Sequence, residues 1–184
     1  MALLIRQLWF FVLLLTAGFP AWVCADTELQ LQEQEIKAGL LYNFLKYTQW
    51  PAAPRSMVIC IYGQDPFEGY LQPIAGRSVN QAEIVLHKIT VPQETEGCNL
   101  LFLNADEKTV WPQVQKTIAG KAVLTVSDYK GFAEEGGMIE FGRKNDHINV
   151  DLNMEALTAA RLQVQDRLLK LVTVVHPVLG SGRP

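Results

Sequence analysis

The chain has 184 residues, with 16 lysines and arginines against 19 aspartates and glutamates, for a formal charge of −3. Nucleic-acid-binding domains usually carry a clustered basic surface, whereas the basic residues here are scattered among acidic ones, so composition argues against a nucleic-acid partner. The chain shows no internal repeat or low-complexity stretch, and its length suits a single domain, whose usual size is about 100–150 residues.

The N-terminal segment predicts a cleavable signal peptide over residues 1–25. Arg6 supplies a positive charge, and the apolar run 8–17 follows it. The run is too short to cross a bilayer, which takes about 20 residues. Gly18 and Pro20, which break a helix, come next, and Val23-Cys24-Ala25 then places small or aliphatic residues before a possible cut. We therefore expect cleavage after Ala25 and a periplasmic mature domain of residues 26–184.

Two alternatives to this cleavage stay open. The first is an uncleaved membrane anchor, although the chain lacks a stop-transfer pattern. The second is lipidation of Cys24, although Ala21-Trp22-Val23 before it differs from the leucine and small residues of such signals. No later apolar run is long enough to span a membrane, so we expect no membrane insertion after cleavage.

The mature chain alternates between helical and strand patterns. Ile36, Leu40, Phe44 and Tyr47 recur at steps of four, four and three, which predicts one face of a helix ending near Trp50. Six segments have the apolar or alternating character of strands: 57–63, 82–89, 99–105, 121–128, 137–144 and 147–153. Helical patterns cover 67–76, 107–120 and, as a long C-terminal helix, 154–175.

Short apolar strands separated by helices predict an α/β domain. We expect a three-layer arrangement around a mostly parallel sheet of five or six strands, with long N- and C-terminal helices. The segments 137–144 and 147–153, joined by a tight turn at Asn145-Asp146, should form an antiparallel pair at one edge. Pro177 and Gly180 should end the C-terminal helix.

Two cysteines, Cys60 and Cys98, follow the signal peptide. Thiols of an exported protein meet an oxidising compartment and tend to pair, so we expect a Cys60–Cys98 disulfide. In the chain-entropy model, a disulfide that closes the loop from Cys60 to Cys98 stabilises the folded protein by about 4 kcal/mol. Two buried free thiols are the alternative, because sequence does not fix the separation of the cysteines.

The sequence gives little support for catalysis or metal binding. Ser127, Asp128 and His147 are the residue types of a hydrolase triad, but no G-x-S-x-G motif surrounds the serine. Ser127 and Asp128 at a strand end are better explained as caps of the next turn. The three histidines stand far apart without ligand spacing, so we predict no metal, no cofactor and no enzymatic activity.

A polar surface on the last two strands is the candidate binding site. His147, Asn149 and Asp151 alternate with apolar residues and so share one face of a strand, and Arg143 lies on the strand before it. Such a face is usually just exposed to solvent. We nevertheless single out Arg143, His147 and Asp151 as candidate residues for binding a partner or a small ligand.

An ordered series of segments over most of the mature chain resembles the YfiR family of periplasmic proteins. The segments are IKAGLLYNFLKYTQWP (36–51), ICIYGQDPF (59–67), GCNLLFLNA (97–105), GKAVLTVSDYKGFAEEGGMIEF (120–141) and INVDLNMEALTAARLQVQDRLLKL (148–171). The resemblance implies a three-layer α/β domain, commonly dimeric, without catalytic residues.

The resemblance also implies a function. Such proteins repress an inner-membrane diguanylate cyclase by contacting its periplasmic sensor domain, which keeps cyclic di-GMP synthesis low. Cys60 and Cys98 match a cysteine pair of the family's best-known members. A second, later pair found in some members is absent here, so a redox mechanism that needs two disulfides is not expected. A periplasmic small-ligand binding module is the alternative function.

Overall fold

The computed structural model describes residues 23–67, 69–145, 147–170 and 172–175. Most of the predicted signal peptide therefore lies outside the described residues. The chain from Glu33 onward forms the compact unit that contains the sheet. Within the described residues, no helix has the length and apolar character needed to cross a membrane.

The described residues form four α-helices and ten strands. The helices are α1 (Val23–Tyr47), α2 (Trp111–Thr117), α3 (Met154–Ala159) and α4 (Asp166–Leu169). The strands are β1 (Thr48–Gln49), β2 (Ser56–Tyr62), β3 (Ser78–Val79), β4 (Ala82–Ile89), β5 (Leu100–Leu103), β6 (Leu124–Ser127), β7 (Ile139–Lys144), β8 (His147–Asn153), β9 (Gln163–Val164) and β10 (Thr173–Val175). Turns of 3₁₀ helix occupy Gln72–Ile74, Pro92–Gly97 and Ala105–Val110.

Eight of the strands form one sheet in the order β10-β8-β7-β6-β5-β2-β4-β3. Five of its seven strand pairs are parallel, and β3–β4 and β7–β8 are antiparallel. The mostly parallel α/β class and the antiparallel β7–β8 pair are thereby confirmed. The predicted five or six strands are too few, because the short strands β3 and β10 have little sequence signal of their own.

Each face of the sheet carries an apolar cluster. Along β2, Met57, Ile59 and Ile61 pack with the buried side chains of α1, whereas Cys60 and Tyr62 pack with residues of α2. This alternation follows from the two-residue period of a strand. Strands covered on both faces are buried throughout, which explains the nearly continuous apolar runs in β2, β5 and β6.

The buried face of α1 differs from the predicted one. Ile36 is 48% exposed, and Leu40 and Tyr47 are only partly buried. Phe44 alone of the four predicted residues is fully buried. The buried residues of α1 are Gln34, Lys37, Ala38, Leu41, Phe44 and Leu45. They also follow helical spacing, but an apolar-only pattern misses them because the face includes a lysine and a glutamine.

The predicted C-terminal helix over 154–175 is wrong. Its first turns form α3, and the chain then reverses at Arg161, whose φ of 59° is left-handed. The amides of Arg161 and Leu162 donate to the carbonyls of Thr158 and Leu157, the two hydrogen bonds of a Schellman helix end. Glycine usually occupies that position. Because an arginine stands there instead, the sequence carries no signal of the helix end.

The chain beyond Arg161 returns to strand pairing. β9 pairs antiparallel with β1, and β10 pairs parallel with β8. β8 is therefore not the edge strand that the sequence predicted. The predicted helix end at Pro177 and Gly180 lies outside the described residues.

The two predicted internal helices are shorter than expected. Among the described residues of segment 67–76, the only helical turn is the 3₁₀ turn Gln72–Ile74. Asp65 caps the preceding turn by accepting a hydrogen bond from the Phe67 amide at 2.8 Å. In 107–120 the α-helix starts at Trp111. Pro112 lacks an N–H and fits only the first turn of a helix, so the residues before it form a 3₁₀ turn instead.

Candidate functional site

A cleft opens where β6 ends beside the longer strand β7. The parallel register pairs Ser127 with Glu140, so β7 continues past the end of β6 to Lys144. The cleft has a volume of about 520 Å³, and its walls are Glu33, Lys37, Asp128, Lys130, Glu140, Phe141, Gly142, Arg143, Lys144, Asn149 and Asp151. The carboxyl ends of strands are the usual binding location in open α/β sheets.

A buried lysine lies in the floor of this cleft. The Lys37 side chain is 7% exposed, and its Nζ lies 2.9 Å from Glu33 Oε1 and 3.2 Å from Asp128 Oδ2. The same Nζ lies 5.9 Å from the centre of the Phe141 ring. A buried ammonium is costly unless it is paired and hydrogen-bonded, and here two carboxylates neutralise it. The contacts tie α1 to the end of β6.

The acidic residues of the cleft are already engaged. The second oxygen of Asp128 accepts from the Ala105 amide at 3.2 Å. Glu140 is buried, and its two oxygens accept from the amides of Gly131 and Ala133, both at 3.1 Å. Asp151 accepts from the Asn149 side-chain amide at 2.7 Å. These carboxylates therefore stabilise the fold around the cleft.

The basic residues at the rim differ, because they are largely unneutralised. The Arg143 side chain is 61% exposed, and its contact with Glu33 is 3.6 Å long. Lys130 and Lys144 are exposed and form no ion pair with another described residue. The rim of Lys130, Arg143 and Lys144 thus presents positive charge to solvent.

The structure separates the three predicted binding residues. Arg143 and Asp151 both line the cleft, on the antiparallel strands β7 and β8. His147 does not line it; it is exposed at the start of β8, opposite Lys144. The predicted Asn145-Asp146 turn falls partly on Asp146, which lies outside the described residues.

Sequence reasoning missed the buried part of the site. A lysine in a helix usually indicates the solvent-exposed face, so the sequence does not predict that Lys37 is buried. Two signals pointed to it: Glu33 stands four residues before it, a favourable ion-pair spacing, and Ala38 and Leu41 place it on an apolar face. The pairing with Asp128 had no local signal, because 91 residues separate the two.

The β6–β7 loop forms an adjoining depression and is tightly held. That depression has a volume of about 450 Å³ and shares Lys130, Glu140 and Asp151 with the cleft. Phe132 packs on Trp111 and Tyr129 with ring centres 4.6 and 5.1 Å apart. The lining of the depression is mainly acidic: Glu134, Glu135, Glu140 and Asp151 against Lys130.

The outer side of this loop carries a charged and aromatic contact. Lys108 Nζ lies 2.8 Å from Glu135 Oε1 and 4.6 Å from the centre of the Tyr129 ring. The Tyr129 hydroxyl donates to Glu135 at 3.1 Å. Burial, with a smaller contribution from the Glu135 charge, raises the pKa of Tyr129 well above its usual value. The hydroxyl therefore stays protonated and serves as a donor.

The hydrolase triad is not supported by the positions of its residues. Ser127 is fully buried, and its hydroxyl donates to the Leu103 carbonyl at 2.7 Å while accepting from the Tyr129 amide. Asp128 pairs with Lys37, and His147 is exposed on another strand. Among the described residues no cluster of histidine, cysteine, aspartate and glutamate suits a metal ion.

The two cysteines are joined in the structure. Cys60 on β2 and Cys98 just before β5 form a disulfide with a Cα–Cα distance of 5.8 Å. Both lie in the apolar cluster that contains Trp111, whereas Phe141 of the cleft lies in the other cluster. The disulfide and the cleft are therefore built on different faces of the sheet.

The fold and the cleft together define a mostly parallel α/β domain whose candidate site is a charged binding surface. The chain belongs to the YfiR/HmsC-like family, whose model matches residues 34–173. The match includes Lys37, both cysteines and the strands that line the cleft. The family resemblance predicted from the sequence is thereby confirmed.

Proposed function

We propose that this protein is a periplasmic regulator that binds the periplasmic domain of an inner-membrane diguanylate cyclase and keeps cyclic di-GMP synthesis low. Membership of the YfiR/HmsC-like family is the observation that carries the proposal. The cleft is compatible with it, because such a regulator needs a binding surface and no catalytic residue. We further propose a three-layer homodimer that works without a cofactor after removal of residues 1–25.

The mechanism follows from the location of the two proteins. A protein outside the membrane changes a cytoplasmic active site only by binding one conformation of the spanning partner better than the other. Moving the partner from 99% active to 99% inactive requires a preference of about 5.5 kcal/mol. A stable interface for this purpose buries about 1,200–2,000 Å² in total, and a transient one buries less.

Gene deletion tests the proposal. We expect intracellular cyclic di-GMP and biofilm formation to rise in the deletion strain, and the effect to vanish when the cyclase gene is also deleted. Re-expression of the full chain should restore the low level, whereas a chain without residues 1–25, which stays in the cytoplasm, should not. Unchanged cyclic di-GMP in the single deletion, with no membrane cyclase co-purifying, would overturn the proposal.

The size of the cleft favours one other function, a periplasmic small-ligand binding module. Its volume of about 520 Å³ lies within the range of small-molecule pockets, about 300–1,000 Å³. Native mass spectrometry of the protein purified from the periplasm measures directly whether a small molecule is bound. A retained small molecule that an Arg143→Ala/Asp151→Ala variant loses would favour this function, and a bare chain mass would count against it.

A further inference from the structure

We propose that the rim of Lys130, Arg143 and Lys144 is a docking surface for an acidic segment of the regulated partner. This inference rests on the proposed function, since it names the surface through which the regulator binds. Three properties of the cleft carry it: the positions of its charges, the rigidity of its floor, and the polarity of the surface around it.

The first property is charge. Lys37, the one buried cation of the cleft, is neutralised by Glu33 and Asp128. The remaining carboxylates, Glu140 and Asp151, accept hydrogen bonds from protein amides. The lining holds four acidic and four basic residues, so its formal charge is zero. The four acidic residues are buried or only partly exposed, whereas Lys130, Arg143 and Lys144 stand at the exposed rim. Of these three, Lys130 and Lys144 form no ion pair with another described residue, and Arg143 has a 3.6 Å contact with Glu33. An acidic segment fits this surface by complementarity.

The second property is the rigidity of the floor. Lys37 ties α1 to the end of β6, and Glu140 fixes the β6–β7 loop through two backbone amides. Arg143 and Lys144 project from β7, a strand that is paired with β8 up to Lys144. Binding groups on a rigid scaffold lose less conformational entropy when a partner docks. Only the long rim side chains have to be ordered.

The third property is the polarity of the surface. The adjoining depression beyond Lys130 carries two exposed carboxylates, Glu134 and Glu135. Glu135 is paired with Lys108, whereas Glu134 forms no ion pair with another described residue. Like charges placed opposite each other disfavour binding, so an acidic segment is directed toward the β7 end of the cleft and away from the loop. The contact on this chain is therefore centred on Arg143 and Lys144, with Lys130 at its border.

Charge reversal tests the surface within the living cell. In the deletion strain, an Arg143→Glu/Lys144→Glu variant should fail to lower cyclic di-GMP and should retain less than one tenth of the cyclase that co-purifies with the unaltered chain. The matched control is Lys88→Glu/Lys116→Glu, which makes the same charge change at exposed residues of β4 and α2. Both variants should unfold thermally within a few degrees of the unaltered chain.

The outcomes distinguish a failure of the docking surface from a failure of the proposed regulatory function. If the unaltered chain and the rim variant repress equally, the surface is wrong and the regulatory function stands. If the unaltered chain itself leaves cyclic di-GMP unchanged, the regulatory function is wrong. A milder Arg143→Ala/Lys144→Ala variant keeps the test valid if the double reversal does not fold.

A direct binding measurement tests the surface without the cyclase. Calorimetry of the mature chain with a hexaglutamate peptide should show binding that weakens at least tenfold between 50 and 300 mM salt, because exposed charges are screened over about 10 Å at 0.1 M. The rim variant should not bind. Binding of citrate but not of hexaglutamate would assign the cleft to small anions and overturn the docking proposal. Loss of self-association in the rim variant, with repression intact, would assign the rim to an interface between copies.

Discussion

Lys37 shows how a single residue can define the site. A lysine buried without partners would shed its proton or destabilise the fold. Here Glu33 and Asp128 lie within 3.2 Å of its Nζ and offset the cost of burying the charge. Removing one partner of a buried ion pair costs more than the pair contributes, since the remaining charge stays desolvated.

The first prediction concerns this residue. Lys37→Met keeps most of the apolar stem but leaves Asp128 without its cation and Glu33 with the 3.6 Å contact to Arg143. We expect a loss of about 2 kcal/mol in the free energy of unfolding, below the 3–5 kcal/mol typical of fully buried pairs, because the side chains of Glu33 and Asp128 are 24% and 19% exposed. Urea denaturation of the mature protein measures it.

A matched control and a second variant sharpen this prediction. Lys46→Met makes the same change at an exposed residue near the end of α1 and should cost less than about 0.5 kcal/mol. Adding Asp128→Asn to Lys37→Met should recover part of the lost stability, because the pair is coupled. Equal effects of the two lysine variants would show that the Lys37 charge is not buried as described.

At the scale of elements, the disulfide ties β2 to the chain that enters its neighbouring strand β5. It joins β2 to the residue that ends the 3₁₀ turn Pro92–Gly97, just before β5. The closed loop contains all of β3 and β4. Oxidation therefore closes a loop that contains the two strands at this edge of the sheet, and the bond itself lies on the face opposite to Phe141 of the cleft.

The second prediction follows from that constraint. The mature protein, denatured without reductant, should have no titratable thiol, and two reactive thiols per chain would contradict the disulfide. A Cys60→Ala/Cys98→Ala variant should lose about 4 kcal/mol of unfolding free energy through the larger entropy of its unfolded chain. Added reductant should lower the denaturation midpoint of the unaltered protein and leave that of the variant unchanged.

At the scale of the whole molecule, the proposed regulation requires export. The described part of α1 runs from Val23 to Tyr47, and cleavage after Ala25 would leave Asp26 as the first residue of the mature chain. The family match starts at residue 34, and the sheet and all residues of the cleft, including Glu33, come after the predicted cut. Cleavage therefore leaves the candidate site intact.

The third prediction is the processing itself. Intact mass and N-terminal sequencing of the protein from the periplasm should show Asp26 first. Ala25→Phe should block cleavage, because the residue before the cut must be small, whereas Ala21→Phe should leave processing unchanged. Retention of Met1, or a lipid on Cys24, would contradict the prediction.

The sequence alone determined the features that depend on local patterns. The six main strands of the sheet, the antiparallel β7–β8 pair and the α/β class follow from short apolar or alternating runs, whose period is set by the backbone. The same alternation points to Asp151, and Arg143 follows from its place on the preceding strand. The disulfide followed from composition, because only two cysteines come after the predicted signal peptide.

The tertiary structure decided the features that depend on contacts between distant residues. α1 buries the face that contains Lys37 because Asp128, 91 residues away, offsets the desolvation of its charge. The C-terminal segment leaves the helix at Arg161 and continues as strand because β1 and β8 offer it backbone partners. His147 stays outside the cleft that Arg143 and Asp151 line, because it stands at the start of β8, beyond the part of that strand that lines the cleft. In each case the free energy of a long-range contact outweighs a local preference, and local preferences are all that a pattern along the chain records.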